Sequence, residues 1–264
     1  MKLMIKNATT VRPCPAGAGS QEQQDCLRRE TVYIQDGLFS QAFDEDQDTR
    51  VIDARGLYVL PGLIDAHAHL RDPGFEYKED IASGTASAAR GGFTTVACMP
   101  NTQPVCDNET VVRYIKDKAA RVGVVNVWPI GAASKGQKGQ QITEIGLMKE
   151  AGIVAVSDDG APVSTADLMR KAMTYAADFN LTVLDHCEDK SLAQGGAMNA
   201  GYNSTVMGVQ GIPTAAEDIM IARDIILAEY LDLPVHICHV STHSGVELIR
   251  QAKARGVKVT CETC

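Results

Sequence analysis

No apolar run in the chain approaches the roughly 18–20 residues of a membrane span. Its first residues, MKLMIKNATTVRP, lack the long apolar region of a secretory leader. Basic residues are not in excess: 25 Lys and Arg stand against 33 Asp and Glu, for a net charge of −8. That balance argues against nucleic acid or an anionic membrane as the main partner. A Gly-x-Gly-x-x-Gly loop is absent, and with it the dinucleotide-binding fingerprint of a doubly wound sheet. The eight cysteines form no disulfide framework. Cys98, Cys187, Cys238 and Cys261 sit in apolar strand-like runs, where small buried thiols of a reducing cytosol belong. The one CxxC, Cys261 to Cys264, has no second pair and reads as a strand end. What remains is a cytoplasmic globular chain of 264 residues, 45% hydrophobic, able to bury a large core.

Two regions differ in pattern. Residues 1–54 read as part of a small β domain, with strands at 3–5 and 31–34 and a hairpin turn at Asp36-Gly37. Residues 13–24, PCPAGAGSQEQQ, read as a surface loop. From 55 to 264, strands alternate with helices. The strands are expected at 58–66, 94–99, 124–130, 153–157, 182–186, 235–240 and 257–262. The helices between them are expected at 81–90, 109–121, 142–150, 165–179, 215–230 and 244–254. Near-continuous apolar strands alternating with amphipathic helices predict a parallel sheet covered on both faces. Seven such units favour an α/β TIM barrel, a (β/α)8 fold, with seven of its eight strands present. An eighth unit would need roughly 40 further residues, so a truncated barrel is expected.

The polar residues fall at the C-terminal ends of these strands, where such a barrel keeps its active site. The first strand ends in His67-Ala68-His69, an i, i+2 pair whose rings share one face of a strand. That spacing suits one divalent metal taking two nitrogen ligands at roughly 2.0–2.1 Å. The fourth strand ends in Ser157-Asp158-Asp159-Gly160, the fifth in Asp185-His186-Cys187-Glu188-Asp189, and the sixth in His239-Val240-Ser241-Thr242-His243. Four histidines and an aspartate exceed the needs of one four-coordinate zinc. Two metals about 3.5–4 Å apart, sharing a carboxylate, use the set economically and suit hydrolysis of an amide-like bond. His236, of opposite parity to His239, is expected to face the outer helices, and His243 the surface. Asp158 is expected to brace the site, and Lys78-Glu79-Asp80 to start a helix.

LPGLIDAHAHLRDPG at 60–74, GGFTTVACMPNTQP, SDDG, LDHCED and HICHVST together resemble the long bacterial dihydroorotases among the cyclic amidohydrolases. The resemblance covers nearly the whole chain. It implies zinc-dependent, reversible cyclisation of N-carbamoyl-L-aspartate to (S)-dihydroorotate in pyrimidine biosynthesis. It also implies two zinc ions per subunit. His67 and His69 would bind the first, His186 and His239 the second, and Asp159 would bridge them. His69, Arg71 and Asn101 would hold the substrate, with the arginine's planar fork matched to a carboxylate. Allantoinases usually show Asn-Glu where this chain has Arg71-Asp72; allantoinase, dihydropyrimidinase or a non-catalytic scaffold are the alternatives. The resemblance further implies a homodimer, possible association with aspartate transcarbamoylase, and a catalytic aspartate on an eighth strand beyond Cys264. Without that aspartate the chain is expected to be nearly inactive.

Overall fold

A computed structural model describes residues 1–12 and 26–264, and the loop expected at 13–24 lies outside the described residues. The chain divides into two compact units, Met1–Gly62 and Leu63–Cys264. In the first, β1 (Lys2–Val11), β2 (Leu27–Gln35), β3 (Leu38–Phe39) and β4 (Thr49–Asp53) form a sheet in the order β3-β2-β1-β4. The short β5 (Tyr58–Val59) also pairs with β1. β1 and β2 run antiparallel from Lys2 opposite Gln35 to Val11 opposite Leu27. The turn from β2 to β3 is Asp36-Gly37, as expected, with both residues at positive φ (52° and 82°). Two successive positive φ values match the right-handed twist of the flanking strands.

The second unit holds seven parallel strands: β6 (Leu63–Ala68), β7 (Phe93–Cys98), β8 (Asn126–Gly131), β9 (Ala155–Ser157), β10 (Val183–Asp185), β13 (Val235–Ile237) and β14 (Val259–Cys261). They pair in chain order, with β6 and β14 as the two edges. The helices between them are α1 (Ile81–Arg90), α2 (Glu109–Val122), α3 (Ile145–Ala151), α4 (Ala166–Ala177), α7 (Ala215–Leu231) and α8 (His243–Ala254). An excursion between β10 and α7 adds the short α5 (Lys190–Ala193), β11 (Met198–Asn199), α6 (Tyr202–Met207) and β12 (Gly211–Ile212).

Strand alternation sorts the core into two layers. Outward residues such as Val96, Val156, Val183 and Ile237 pack with Ile115, Met148, Met169 and Ile221 of the helices. Inward residues Ala97, Met99, Ile130, Ala155, Leu184 and Cys238 fill the lumen. Each buried Ile or Met contributes roughly 1.5–3 kcal/mol. Local chemistry sets the helix starts. The carboxylate of Asp80 accepts the N–H of Ser83, so Lys78-Glu79-Asp80 does lead into a helix, and Asn108, Thr165 and Thr242 cap three others. No helix among the described residues is long and apolar enough to cross a membrane.

Three expectations change. The run 58–66 is two strands, because Pro61 has no N–H for a ladder: Tyr58–Val59 joins the small sheet, and Leu63–Ala68 starts the parallel one. His236 faces the lumen beside Ile64, Ala97 and Trp128, in phase with inward Cys238. His239, by contrast, follows the strand with φ 36°, a left-handed turn that breaks the alternation on which the outward reading rested. Cys261 is exposed rather than buried, because β14 is an edge strand; Cys98, Cys187 and Cys238 are buried as expected.

Candidate metal centre

At the C-terminal rim of the parallel sheet the four strand-end histidines surround one carboxylate. Asp159, just beyond β9, is 5% exposed. Its Oδ1 lies 3.4 Å from His67 Nε2, 3.6 Å from His186 Nδ1 and 3.6 Å from His239 Nε2. Its Oδ2 lies 3.6 Å from His69 Nε2. His186 Nδ1 and His239 Nε2 are 2.9 Å apart. The rings of His67 and His69 are 5.2 Å apart between centroids, so the i, i+2 pair does share a face.

Other polar groups fix these side chains. His69 Nδ1 is 3.1 Å from Asn101 Oδ1, and Asn101 Nδ2 donates to Asp159 Oδ2 at 3.0 Å. His67 Nδ1 is 2.5 Å from Glu262 Oε1. Asp158 points away from the histidines and accepts the N–H groups of Ala133 (2.8 Å) and Ser134 (3.0 Å) and the Ser134 hydroxyl. Burial raises the Asp158 carboxyl to about 6, although those donors oppose the shift. His243 starts α8 and is exposed.

Electrostatics centre on Asp159. Burial alone would raise its pKa, but hydrogen bonds from His186, His239 and His67 hold it well below the usual carboxylate range. His67 moves the other way. Burial disfavours its charged form, yet contacts with Asp159, Cys238 and Glu262 outweigh that and push it up to about 12. His186 is raised by Asp159 and Glu188 against the effect of burial, while His69 is lowered by burial and by the nearby Arg71 charge.

The donor chemistry fits a pair of divalent ions. Donor atoms of His67, His69 and Asp159 lie within 4.8 Å of one another, and so do those of Asp159, His186 and His239, with Asp159 common to both groups. Imidazole nitrogen and carboxylate oxygen are the ligands zinc takes. Asp185, Cys187 and Asp224 form another cluster, but Arg223 already occupies it, donating to Asp224 at 2.7 Å and to Asp185 at 2.9 Å. A cavity opens beside His186 and His239, bordered by Glu188, Asn199, Pro213 and Thr242.

Arg71 follows His69 by two residues, at φ 59°, and has no ion-pair partner among the described residues. The next residue, Asp72, is buried and anchored by Lys118 (2.7 Å) and Tyr114 (3.3 Å). Sequence reasoning missed Glu262, Asp72, Glu217 and the Arg223–Asp185–Asp224 network. Glu262 and Asp185 left a signal, as carboxylates at barrel-strand ends.

A family model described as dihydro-orotase-like matches residues 56–245. Dihydroorotase of Acetivibrio thermocellus is 61% identical over 235 residues, covering 88% of this chain and 55% of that protein. Dihydroorotase of Ruminiclostridium cellulolyticum is 56% identical over 264 residues, covering 100% of this chain and 60% of that one. The chain thus spans between half and two thirds of the length of these curated relatives. Among solved structures, L-hydantoinase (dihydropyrimidinase) from Arthrobacter aurescens superposes with a TM-score of 0.79 at 23% identity, over 99% of this chain and 58% of that one. A D-hydantoinase gives 0.75 at 25% identity, over 100% and 57%. These likenesses speak to the fold, an amidohydrolase barrel, and the sequence matches go further: the chain belongs to the dihydro-orotase-like family.

Proposed function

We propose that this chain carries the metal centre and part of the substrate site of a dihydroorotase, which interconverts N-carbamoyl-L-aspartate and (S)-dihydroorotate on the route to UMP. The observation that carries this reading is the convergence of His67, His69, His186 and His239 on Asp159, with Arg71 two residues beyond His69. His67, His69 and Asp159 would hold one zinc ion, and Asp159, His186 and His239 a second. Ions held there would polarise a carbonyl and lower the pKa of water.

The chain's own residues supply recognition and order. Arg71 presents a planar fork to the substrate carboxylate, a group that a plain hydantoin lacks. Because Asp72 is tied to Lys118 and Tyr114, the backbone that presents Arg71 is held before substrate arrives. Asn101 spends one N–H on Asp159 and its carbonyl on His69, leaving a second N–H for the substrate amide. The charges of both Arg71 and Asp159 act on His69, so the bound ring is oriented with its carboxylate toward the arginine. In the hydrolytic direction water attacks the ring carbonyl, the C–N bond breaks, and the ring nitrogen takes a proton.

The test is an assay of the gene product that carries this chain, zinc-loaded, against dihydroorotate, dihydrouracil, hydantoin and allantoin, with metal content measured in parallel. Turnover of dihydroorotate alone is expected, with two zinc equivalents. Turnover of an uncharged ring in its place overturns the substrate assignment, and absence of bound metal overturns the centre.

A further inference from the structure

Glu262 lies one residue past β14 and touches the site from the opposite edge of the sheet. Its Oε1 is 2.5 Å from His67 Nδ1, across 195 positions of sequence. His67 Nε2 faces Asp159 Oδ1 at 3.4 Å. A neutral imidazole carries one N–H, and the nitrogen that donates leaves the other as the lone pair. A carboxylate at Nδ1 keeps a proton there when the Nε2 proton is displaced, so Nε2 is the nitrogen left with a lone pair for an ion at Asp159. Cys238, the other group at this ring, is a weak sulfur partner and exerts little such choice.

Glu262 is itself held. Its N–H donates to Ile237 O at 3.1 Å, and its carbonyl accepts from Val240 N at 2.8 Å, on either side of the turn that bears His239. Its second oxygen faces His236 Nε2 across 3.4 Å, and His236 Nδ1 is 2.8 Å from Thr260 Oγ1. A chain of polar groups thus runs from the lumen through Glu262 to His67, spanning the two edge strands. The donor atoms of His67, Cys238 and Glu262 also lie within 4.8 Å of one another. His67 presents Nε2 to Asp159 and Nδ1 to Glu262, so a ring whose Nε2 serves the shared centre meets Glu262 through its Nδ1–H.

We propose that Glu262 is a positioning residue that fixes the tautomer and rotation of His67 for the first metal; the inference rests on His67, His69 and Asp159 being metal ligands. Carboxylate partners of this kind usually change metal affinity about 10–100-fold. The experiment titrates zinc from the wild-type protein, Glu262→Gln and Glu262→Ala with a chromophoric chelator. It also reads the His67 ring by 15N-resolved NMR, assigned with His67→Gln. One of two zinc equivalents is expected to weaken about 10–100-fold, more in Glu262→Ala than in Glu262→Gln, while the other stays at its wild-type value. In the zinc-loaded protein the wild-type ring is expected as a single Nδ1–H form, and Glu262→Ala as a mixture of ring states as His67 loses its hold on the ion. If Glu262→Ala unfolds, the isosteric Glu262→Gln carries the test alone. Unchanged affinity at both equivalents, or a ring still held as Nδ1–H without the carboxylate, overturns the role of Glu262. A wild-type protein that binds no zinc overturns instead the metal reading beneath it.

Discussion

The two donor groups that meet at Asp159 are built in opposite ways. His67 and His69 leave one strand end two residues apart, and side chains back their rings directly: Glu262 behind His67, Asn101 behind His69. His186 and His239 come from β10 and β13, 53 positions apart; Glu188 faces His186 Nε2 at 3.5 Å, and the rest of their support reaches them through neighbouring residues. Arg223 on α7 pairs with Asp185, next to His186. Glu217, also on α7, accepts the N–H groups of Ser241 (2.9 Å) and Thr242 (3.0 Å), just past His239. These bonds hold a loop in which His239 sits at φ 36°, a conformation costly for a residue with a Cβ. The first group needs only its ring rotations set, because local chain geometry brings it together. The second depends on where one helix lies.

The strongest test breaks both groups at once. Asp159→Ala removes the carboxylate they share, and both zinc equivalents are expected to leave. Activity should fall about 10³–10⁴-fold, equivalent to ~4–5.5 kcal/mol, as followed by elemental analysis and turnover.

Arg223→Met separates the groups. Asp224 is fully buried, and burial together with Asp185 beside it already pushes its carboxyl well above the usual range. Removing the guanidinium leaves both carboxyls without their cation. Such a loss typically costs ~3–5 kcal/mol, and the lower end is expected because Arg223 retains some solvent contact. Thermal unfolding should show the destabilisation, and zinc titration should show the equivalent at His186 and His239 weakened with the other intact. Equal weakening of both would erase the contrast.

Acidity tests the groups together. His67 and His186 are both raised, so below their folded pKa values the rings hold protons that a metal must displace. Zinc binding near pH 7 should therefore release protons, and affinity should rise with pH, about tenfold per unit for each proton released. Calorimetry in buffers of different ionisation enthalpy measures that number. The metal-free protein has the opposite trend from His67. That contribution is complete below the unfolded value of about 6.5 and is lost as pH rises toward the folded value.

The smallest effect is expected where neither group is touched. Arg71→Lys keeps the charge but loses the fork, so both zinc equivalents should persist while KM for dihydroorotate rises about tenfold, or ~1.4 kcal/mol. An unchanged KM would remove Arg71 from carboxylate recognition.

Much of this protein was legible in its sequence. The alternation of apolar strands with amphipathic helices encoded a parallel barrel, because each element must bury one face. Residue types at strand ends encoded the histidines that gather at Asp159, and Asp36-Gly37 encoded a hairpin, because each of these is local chemistry. Local pattern failed at His236, because its face was inferred from His239, which lies past the end of the strand in a turn at positive φ. Only the tertiary structure decided what stands behind these histidines: Glu262 behind His67, Arg223 near His186, Glu217 beneath the loop that bears His239. The distance from Glu262 to His67 is set by the curvature of the sheet, and those of Arg223 and Glu217 by the placement of α7. Both emerge from packing the whole barrel, so no spacing along the chain records them.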